Sequence, residues 1–491
     1  QPNFLFDQHF LRLINTFFLP ERIRTMGRIA KFIGILLVGS LSSTLSYGDD
    51  LITILQLALD NDPTLKQAQA SYRANRENVI QSRSALLPGL RITGQTTRQT
   101  SGPTDSIYAN TIDPLTGNIV STRIEDDHSF RPGLNSHNWG VGINQSVFNL
   151  ANWYNFQSAQ AVDKADAVQL AAQEQDLIMR VATAYFDVLR ALDLLDTNNQ
   201  EEEAALRSLE QTQQREAVGL VAITDVYDSQ AAYDLARNTT ILQQDLLQSR
   251  YEALEAITGQ PHPNVEVLRE DFPIIEVDGS LNEWEREADA NSLQVAAAEY
   301  NLDASRKNLR ARKSDHLPTI DLQGIWAHVV TAPIEVGGLR YSSGATDRTQ
   351  LALNLTIPLY SGGATRSRRR AAEYNVNVAQ ESLELTKRQL TQNIRNAYRR
   401  VNTDVLVIAQ RQQSITSAQS RLDATELGAE VGTRNIVEVL LARENLYQAL
   451  RLYADARYQY VVDSLLLKQV AGILTPQDII DLNEWLQENT L

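Results

Sequence analysis

The sequence contains no cysteine. That excludes thiol nucleophiles, thiolate zinc sites, iron–sulfur clusters and disulfide frameworks together. Histidine is scarce, with 6 in 491 residues (His9, His128, His137, His262, His316, His328). No two are three or four apart, so no helical pair can clasp a metal. Glycine (23) and proline (14) are few for this length, which favours long regular elements over many turns. Basic charge is in deficit: 45 Lys/Arg face 60 Asp/Glu, a net of −15 that disfavours a nucleic-acid partner. Beyond residue 48 no apolar run approaches the roughly 18 residues of a membrane-spanning helix. Gly-rich phosphate loops, nucleophile elbows and metal clusters are also missing, so neither a catalytic residue nor a cofactor is expected.

What is present begins with a targeting pattern. Met26 opens a stretch with Arg28 and Lys31 as a basic region, Phe32 to Val38 as an apolar core, and Ser46-Tyr47-Gly48 as a small-x-small cleavage site. Residues 26–48 therefore read as a secretory signal peptide, and residues 1–25 as an upstream extension. Removing 1–48 takes away 5 Lys/Arg and 2 Asp/Glu and leaves 40 against 58, a net of −18. No Cys follows the cleavage site to carry a lipid.

The remainder is a duplication, which sets the architecture. VIQSRSALLPGL (79–90) matches LRARKSDHLPTI (309–320), pairing Pro88 with Pro318 at an offset of 230. AVGLVAITDVYDSQAAY (217–233) matches EVGTRNIVEVLLARENL (430–446) at an offset of 213. Tyr185 with Tyr398, and Gly259 with Gly472, share that second offset. One longer loop in the first half accounts for the difference.

Each half has the same order of elements. The first repeat (49–278) predicts a helix from Ile52 to Leu87, a β-hairpin over about 90–148, a long helix 150–217 and a return helix 222–257. The second (279–491) predicts a helix 281–317, a hairpin over about 319–360, a long helix 363–428, a return helix 435–470 and an equatorial C-terminal segment. The strands alternate: Trp139, Val141, Ile143 and Val147 oppose Asn138, Gly140, Gly142, Asn144 and Ser146. Ile320, Leu322, Gly324 and Trp326, and likewise Leu351, Leu353 and Leu355, each take one side of their strand. Runs of about ten residues with period two suit a tilted transmembrane β-strand. A soluble hairpin packed on helices would show the same alternation; the signal peptide and the duplication favour the membrane. Residues 150–217 and 363–428 contain no Pro, and a helix of that length spans roughly 100 Å. It must pack lengthwise as a coiled coil.

GLVAITDV (219–226), VGTRNIVEVL (431–440), ALLPGL (85–90), HLPTIDL (316–322), ATAYFDVL (182–189) and ARYQYVVDSLLLK (456–468) resemble the TolC-like outer-membrane channel proteins of Gram-negative efflux and type I secretion. The resemblance covers essentially all of 50–488. It implies a membrane α+β fold: a homotrimer in which four strands per chain make one 12-stranded β-barrel, continued by a long periplasmic α-helical barrel of coiled coils. The implied location is the cell outer membrane. The implied function is an exit duct for drugs and secreted proteins, gated at the helix tips. The implied partners are a periplasmic adaptor protein, an inner-membrane transporter reached through it, and outer-membrane lipid. Alternatives are a periplasmic coiled-coil adaptor or scaffold without a pore, and a related channel dedicated to metals or to one secreted substrate.

The resemblance also places a gate at Thr224, Asp225, Arg434 and Glu426, and a ring of carboxylates at Glu438. Spacing alone offers a local reading, since Glu438 lies four residues beyond Arg434. The family's second acidic ring falls at Leu441, its gate Tyr at Ala429 and its linking Gln at Ser208. Fewer closing links are therefore expected. Gly219, Leu220, Val221 and Ala222, with Gly432 and Thr433, are the implied adaptor-docking tip; the glycines also suit left-handed helix caps.

Overall fold

A computed structural model describes residues 49–99, 107–124, 134–331, 334–336, 339–341 and 344–487. The expected extension and signal peptide lie outside the described residues. The first repeat contains α1 (Leu51–Asn61), α2 (Pro63–Ser84), β1 (Gly89–Gln99), a small hairpin β2–β3 (Ile107–Ile112 and Ile119–Ile124), β4 (Leu134–Phe148), α3 (Leu150–Ala217) and α4 (Ile223–Thr258). After β5 (Val267–Leu268), the second repeat contains α5 (Leu281–Asn291), α6 (Leu293–Ser314), β6 (Thr319–Thr331), a small hairpin β7–β8 (Ile334–Val336 and Leu339–Tyr341), β9 (Gly344–Thr356), α7 (Ala364–Glu430) and α8 (Ile436–Val470). Then α9 (Pro476–Asn483) leads to β10 (Leu486–Gln487), which pairs with β5.

The short helix of each repeat is two helices, where the pattern predicts one. Asp62 ends α1 and caps α2 through Leu65 N–H at 2.7 Å, with Pro63 at the first helical position. Ser292 does the same between α5 and α6 through Val295 N–H at 3.3 Å. The two breaks keep the offset that relates Pro88 to Pro318. Gly259 and Gly472 end α4 and α8 in the left-handed conformation, at φ of 79° and 75°. Each lands on the corresponding break: a Cβ on Gly472 would stand 2.4 Å from the Asn291 carbonyl oxygen, and one on Gly259 would stand 3.6 Å from the Asn61 Cβ. The interruption gives each return helix a place to end.

The main sheet is antiparallel in the order β1-β4-β6-β9, so β1 and β9 each leave one edge unpaired within the chain. Register puts Leu90 opposite Ile143, Ile92 opposite Val141, Val141 opposite Trp326 and Trp326 opposite Thr349. One face therefore carries Leu90, Ile92, Val141, Ile143, Leu322, Trp326, Leu351, Leu353 and Leu355. The other carries Arg91, Gln95, Asn144, Gln323, Gln350 and Asn354. Toward the loops the apolar face ends on Trp139, packed edge-on against Trp326 at 4.8 Å, and then on Thr96, His137, His328 and Asp347. A β-bulge at Val147 changes the expected alternation: Phe148, not Val147, faces Ile320.

The principal core lies at the middle of the long helices, not at their ends. Leu177, Val181, Tyr185 and Leu189 of α3 pack with Ile394 and Val401 of α7, Tyr458, Val461 and Leu465 of α8, and Leu51, Ile54 and Leu254. The paired tyrosines fasten the inter-repeat linker: Tyr185 Oη donates to the Glu266 carbonyl at 2.8 Å and Tyr398 Oη to the Gly279 carbonyl at 3.2 Å. Arg180 bridges Asp62 at 3.0 Å and Asp176 at 3.0 Å.

One carboxyl in this belt titrates anomalously. Burial, the Asp463 carboxylate and a hydrogen bond shared with Asp463 push the Asp404 carboxyl up to about 6, while Arg400 pulls it down. Arg400 also lies 3.6 Å from Asp463, and Gln459 Nε2 donates to Asp463 at 3.0 Å. A raised carboxyl pKa contributes stability below its unfolded value near 4 and loses it as pH rises through about 6. Asp404→Asn is therefore expected to melt above wild type at pH 8 and to converge with it near pH 4. Parallel melting curves across that range would refute the raised Asp404 carboxyl.

Candidate functional site

The two turns that join long and return helices lie at the ends of α3 and α7 remote from the sheet. Helix geometry makes those ends roughly 100 Å from the strands along each helix. Gly219 and Gly432 adopt φ of 73° and 76°, closing each long helix with a left-handed residue. A Cβ on either would meet nothing within 4 Å, so both glycines face open space. Around them Leu220 is 71% exposed, Ala222 and Thr433 are exposed, and Val221 is partly so.

The two tips are capped differently. Asn435 caps α8 by accepting from Glu438 N–H at 2.8 Å. Thr433 Oγ1 and the Thr433 and Arg434 N–H groups all donate to the Gly428 carbonyl, and the Arg434 stem folds over Gly428. The α4 tip begins at Ala222, which offers no side-chain cap. Asp225 occupies its first turn, where the helix dipole favours a carboxylate.

Arg434 donates to Glu438 at 2.5 Å, the local pair that spacing allows. Among the described residues the chain holds no ion pair between Arg434 and Asp225. Thr224 is exposed and Asp225 partly so. Glu426 is held by Arg443 at 2.7 Å, and Arg443 also donates to the Ala204 carbonyl at 2.9 Å. That guanidinium joins α3, α7 and α8. Ser208 is buried inside the α3–α4 coil, where its carbonyl accepts from Thr212, and Thr212 accepts from Ser229 of α4 at 3.2 Å. Ala429 packs on the small tip cluster of Leu422, Val439, Ala442 and Leu446.

Sequence reasoning missed the fastening of α8 to α3. Arg443, Tyr447 and Arg451 recur every four residues on one face of α8. Tyr447 Oη donates to the Gln200 carbonyl at 3.1 Å; Arg451 donates to Asn198 at 3.1 Å and also binds Glu201. The i, i+4, i+8 spacing is visible in the sequence, but nothing in the pattern assigns it to α3.

Comparison with known proteins adds an independent line. The profile of the family described as "Outer membrane efflux protein" matches residues 54–260 and again 284–473, once in each repeat. The "Outer membrane protein TolC" of Vibrio cholerae serotype O1 is 33% identical over 464 residues, covering 92% of this chain and 96% of that protein. The "Proteases secretion protein PrtF" of Dickeya chrysanthemi is 25% identical over 460 residues, covering 91% and 93%. Among solved structures, the CmeC outer membrane channel of Campylobacter jejuni aligns at a TM-score of 0.70, with 16% identity over 93% of this chain and 95% of that one.

Proposed function

The chain belongs to the outer membrane efflux protein family, and from that premise we propose that it is a passive exit duct for drugs and secreted proteins, closed at rest by its helix tips. The observation that carries this reading is the sheet. A single apolar face runs across all four strands, and Leu90, Leu351 and Leu355 on it are 71%, 74% and 62% exposed. No helix among the described residues is long and apolar enough to cross a membrane, so any membrane anchor of this region is β. Unpaired backbone groups cannot face lipid, and four strands cannot close on themselves. Three copies, pairing β1 of one with β9 of the next, give a closed 12-stranded barrel. A coiled-coil scaffold without a pore has no use for such a face.

Within this reading the gate joins neighbouring subunits. Arg434 already holds Glu438 inside its own chain, so its link to Thr224 and Asp225 crosses to the adjacent copy. Among the described residues the Asp225 carboxylate has no partner in its own chain and can receive it. The three Glu438 carboxylates ring the entrance with their charge partly met by Arg434, which weakens any block by multivalent cations. The periplasmic adaptor meets Gly219, Leu220, Val221, Ala222, Gly432 and Thr433, and the inner-membrane transporter acts through it.

An exposed charge-assisted link is worth about 1 kcal/mol or less. Three opening together shift open probability by about tenfold to a hundredfold. Planar-bilayer recordings are expected to show Asp225→Ala/Arg434→Ala raising resting conductance by that order. An unchanged resting conductance removes the gate from these residues.

A further inference from the structure

Four arginines stand in five residues on the first two turns of α7: Arg366, Arg368, Arg369 and Arg370. No acid lies between Ser361 and Ala372 in a chain whose net charge is −15. Arg369 approaches Glu373 at 3.5 Å. Arg366, Arg368 and Arg370 are exposed and make no hydrogen bond or ion pair among the described residues. The placement is unfavourable for the chain alone. Cations at a helix N-terminus oppose the macrodipole, and Arg366 and Arg370 repel each other across one turn. The helix has no side-chain cap to offset this, since Gly363 precedes it. Their counter-charge comes from outside the chain, from solvent ions or from a ligand.

Their position says which ligand. The apolar face of β9 runs down through Leu355, and the chain then exposes Ile357, Leu359 and Tyr360, the last two at 92% and 88%. Helix α7 begins four residues later. Its first two turns rise about 10 Å, which brings them into the headgroup layer, roughly 5–8 Å deep on each side of the hydrocarbon. The equivalent turns of α3, at the repeat offset of 213, carry Trp153, Tyr154 and Phe156 instead, with Trp153 41% exposed and 6.0 Å from Phe156. Aromatic and basic residues at one level are the two kinds of anchor that membrane–water interfaces select.

We propose that Arg366 and Arg370, one turn apart on the same face of α7, form a binding surface for anionic phospholipid headgroups at the periplasmic face of the barrel. The guanidinium fork matches phosphate geometry. The aromatic turns of the first repeat hold the interface between successive basic patches. This rests on the barrel reading above, which fixes where the membrane ends.

The test is lipid retention on the assembled protein. Full-length wild type, Arg366→Gln/Arg370→Gln and the matching double Lys variant are reconstituted in nanodiscs of phosphatidylcholine with a minor fraction of phosphatidylglycerol. Tightly bound lipid is then counted by native mass spectrometry. Each basic side chain near an anionic surface is worth about fivefold in partition, so two give roughly twenty-five-fold. Wild type is expected to retain phosphatidylglycerol far above its share, the Lys variant to keep part of that preference, and the Gln variant to lose it. Equal enrichment in wild type and Gln variant overturns the proposal. So does a Gln variant that changes only the anion selectivity of single channels, which would place these arginines in the lumen. Failure of wild type to insert in any lipid would overturn the barrel reading and this proposal with it; insertion without preference sinks the proposal alone.

Discussion

Gly472→Ala is expected to destabilise the protein by about 3–5 kcal/mol, while Gly259→Ala, its counterpart in the other repeat, costs about 1–2 kcal/mol. Both glycines are left-handed, so both substitutions incur the steric cost of a Cβ at positive φ. Only at Gly472 does the new methyl also collide with backbone: the Asn291 carbonyl oxygen at 2.4 Å and its carbon at 2.8 Å. Backbone at a helix break cannot swing aside as a side chain can. At Gly259 the nearest atom is a Cβ at ordinary contact distance, 3.6 Å. Thermal melts of the two variants in the same detergent check the difference. If the two melt together, the close approach of α8 to the α5–α6 break is not limiting.

Gly432→Trp is expected to reduce export to the level of a deletion strain while the protein still assembles and inserts. The substitution strains one left-handed residue, about 1–2 kcal/mol, but has open space to fill. Folding therefore survives. What changes is the shape of an exposed tip built from small groups, where a bulky indole blocks end-on contact with a partner. Gly432→Asn is the control, because Asn tolerates the left-handed conformation with a small side chain; it should retain most export. Drug susceptibility, together with the oligomer band on unheated gels, reads both properties. Normal export by the Gly432→Trp variant would remove the tip from the docking surface.

Much of this architecture could be read directly from residue patterns, for identifiable reasons. Proline-free stretches bounded by glycines set the long helices, and strict alternation set the strand faces. The breaks in the short helices were harder. Pro63 is a visible signal and Ser292 a weaker one, since a serine also sits within helices; the return-helix ends that meet the two breaks lie far along the chain. The tip residues illustrate a different limit. Spacing supplied the Arg434–Glu438 pair, whereas the proposed link from Arg434 to Asp225 would need a neighbouring copy that no local pattern encodes. Arg443 escaped notice because its partners, Glu426 and the Ala204 carbonyl, lie on two other helices.

The position of the core has a mechanical consequence. The large apolar cluster grips each long helix near its midpoint, and among the described residues the apolar cluster at the tip of the second repeat is far smaller, with four buried side chains. Between Leu189 and Gly219 about 45 Å of α3 extends beyond the grip. Such a helix is a lever with its fulcrum at the belt. A slight tilt there sweeps the tip through a distance many times larger than any shift at the fulcrum, and the contacts that must yield are the polar ones by which Arg443, Tyr447 and Arg451 fasten α8 to α3. The force needed at the tip is correspondingly small, and the stiffness of such a movement is shared between the belt and the α3–α8 fasteners.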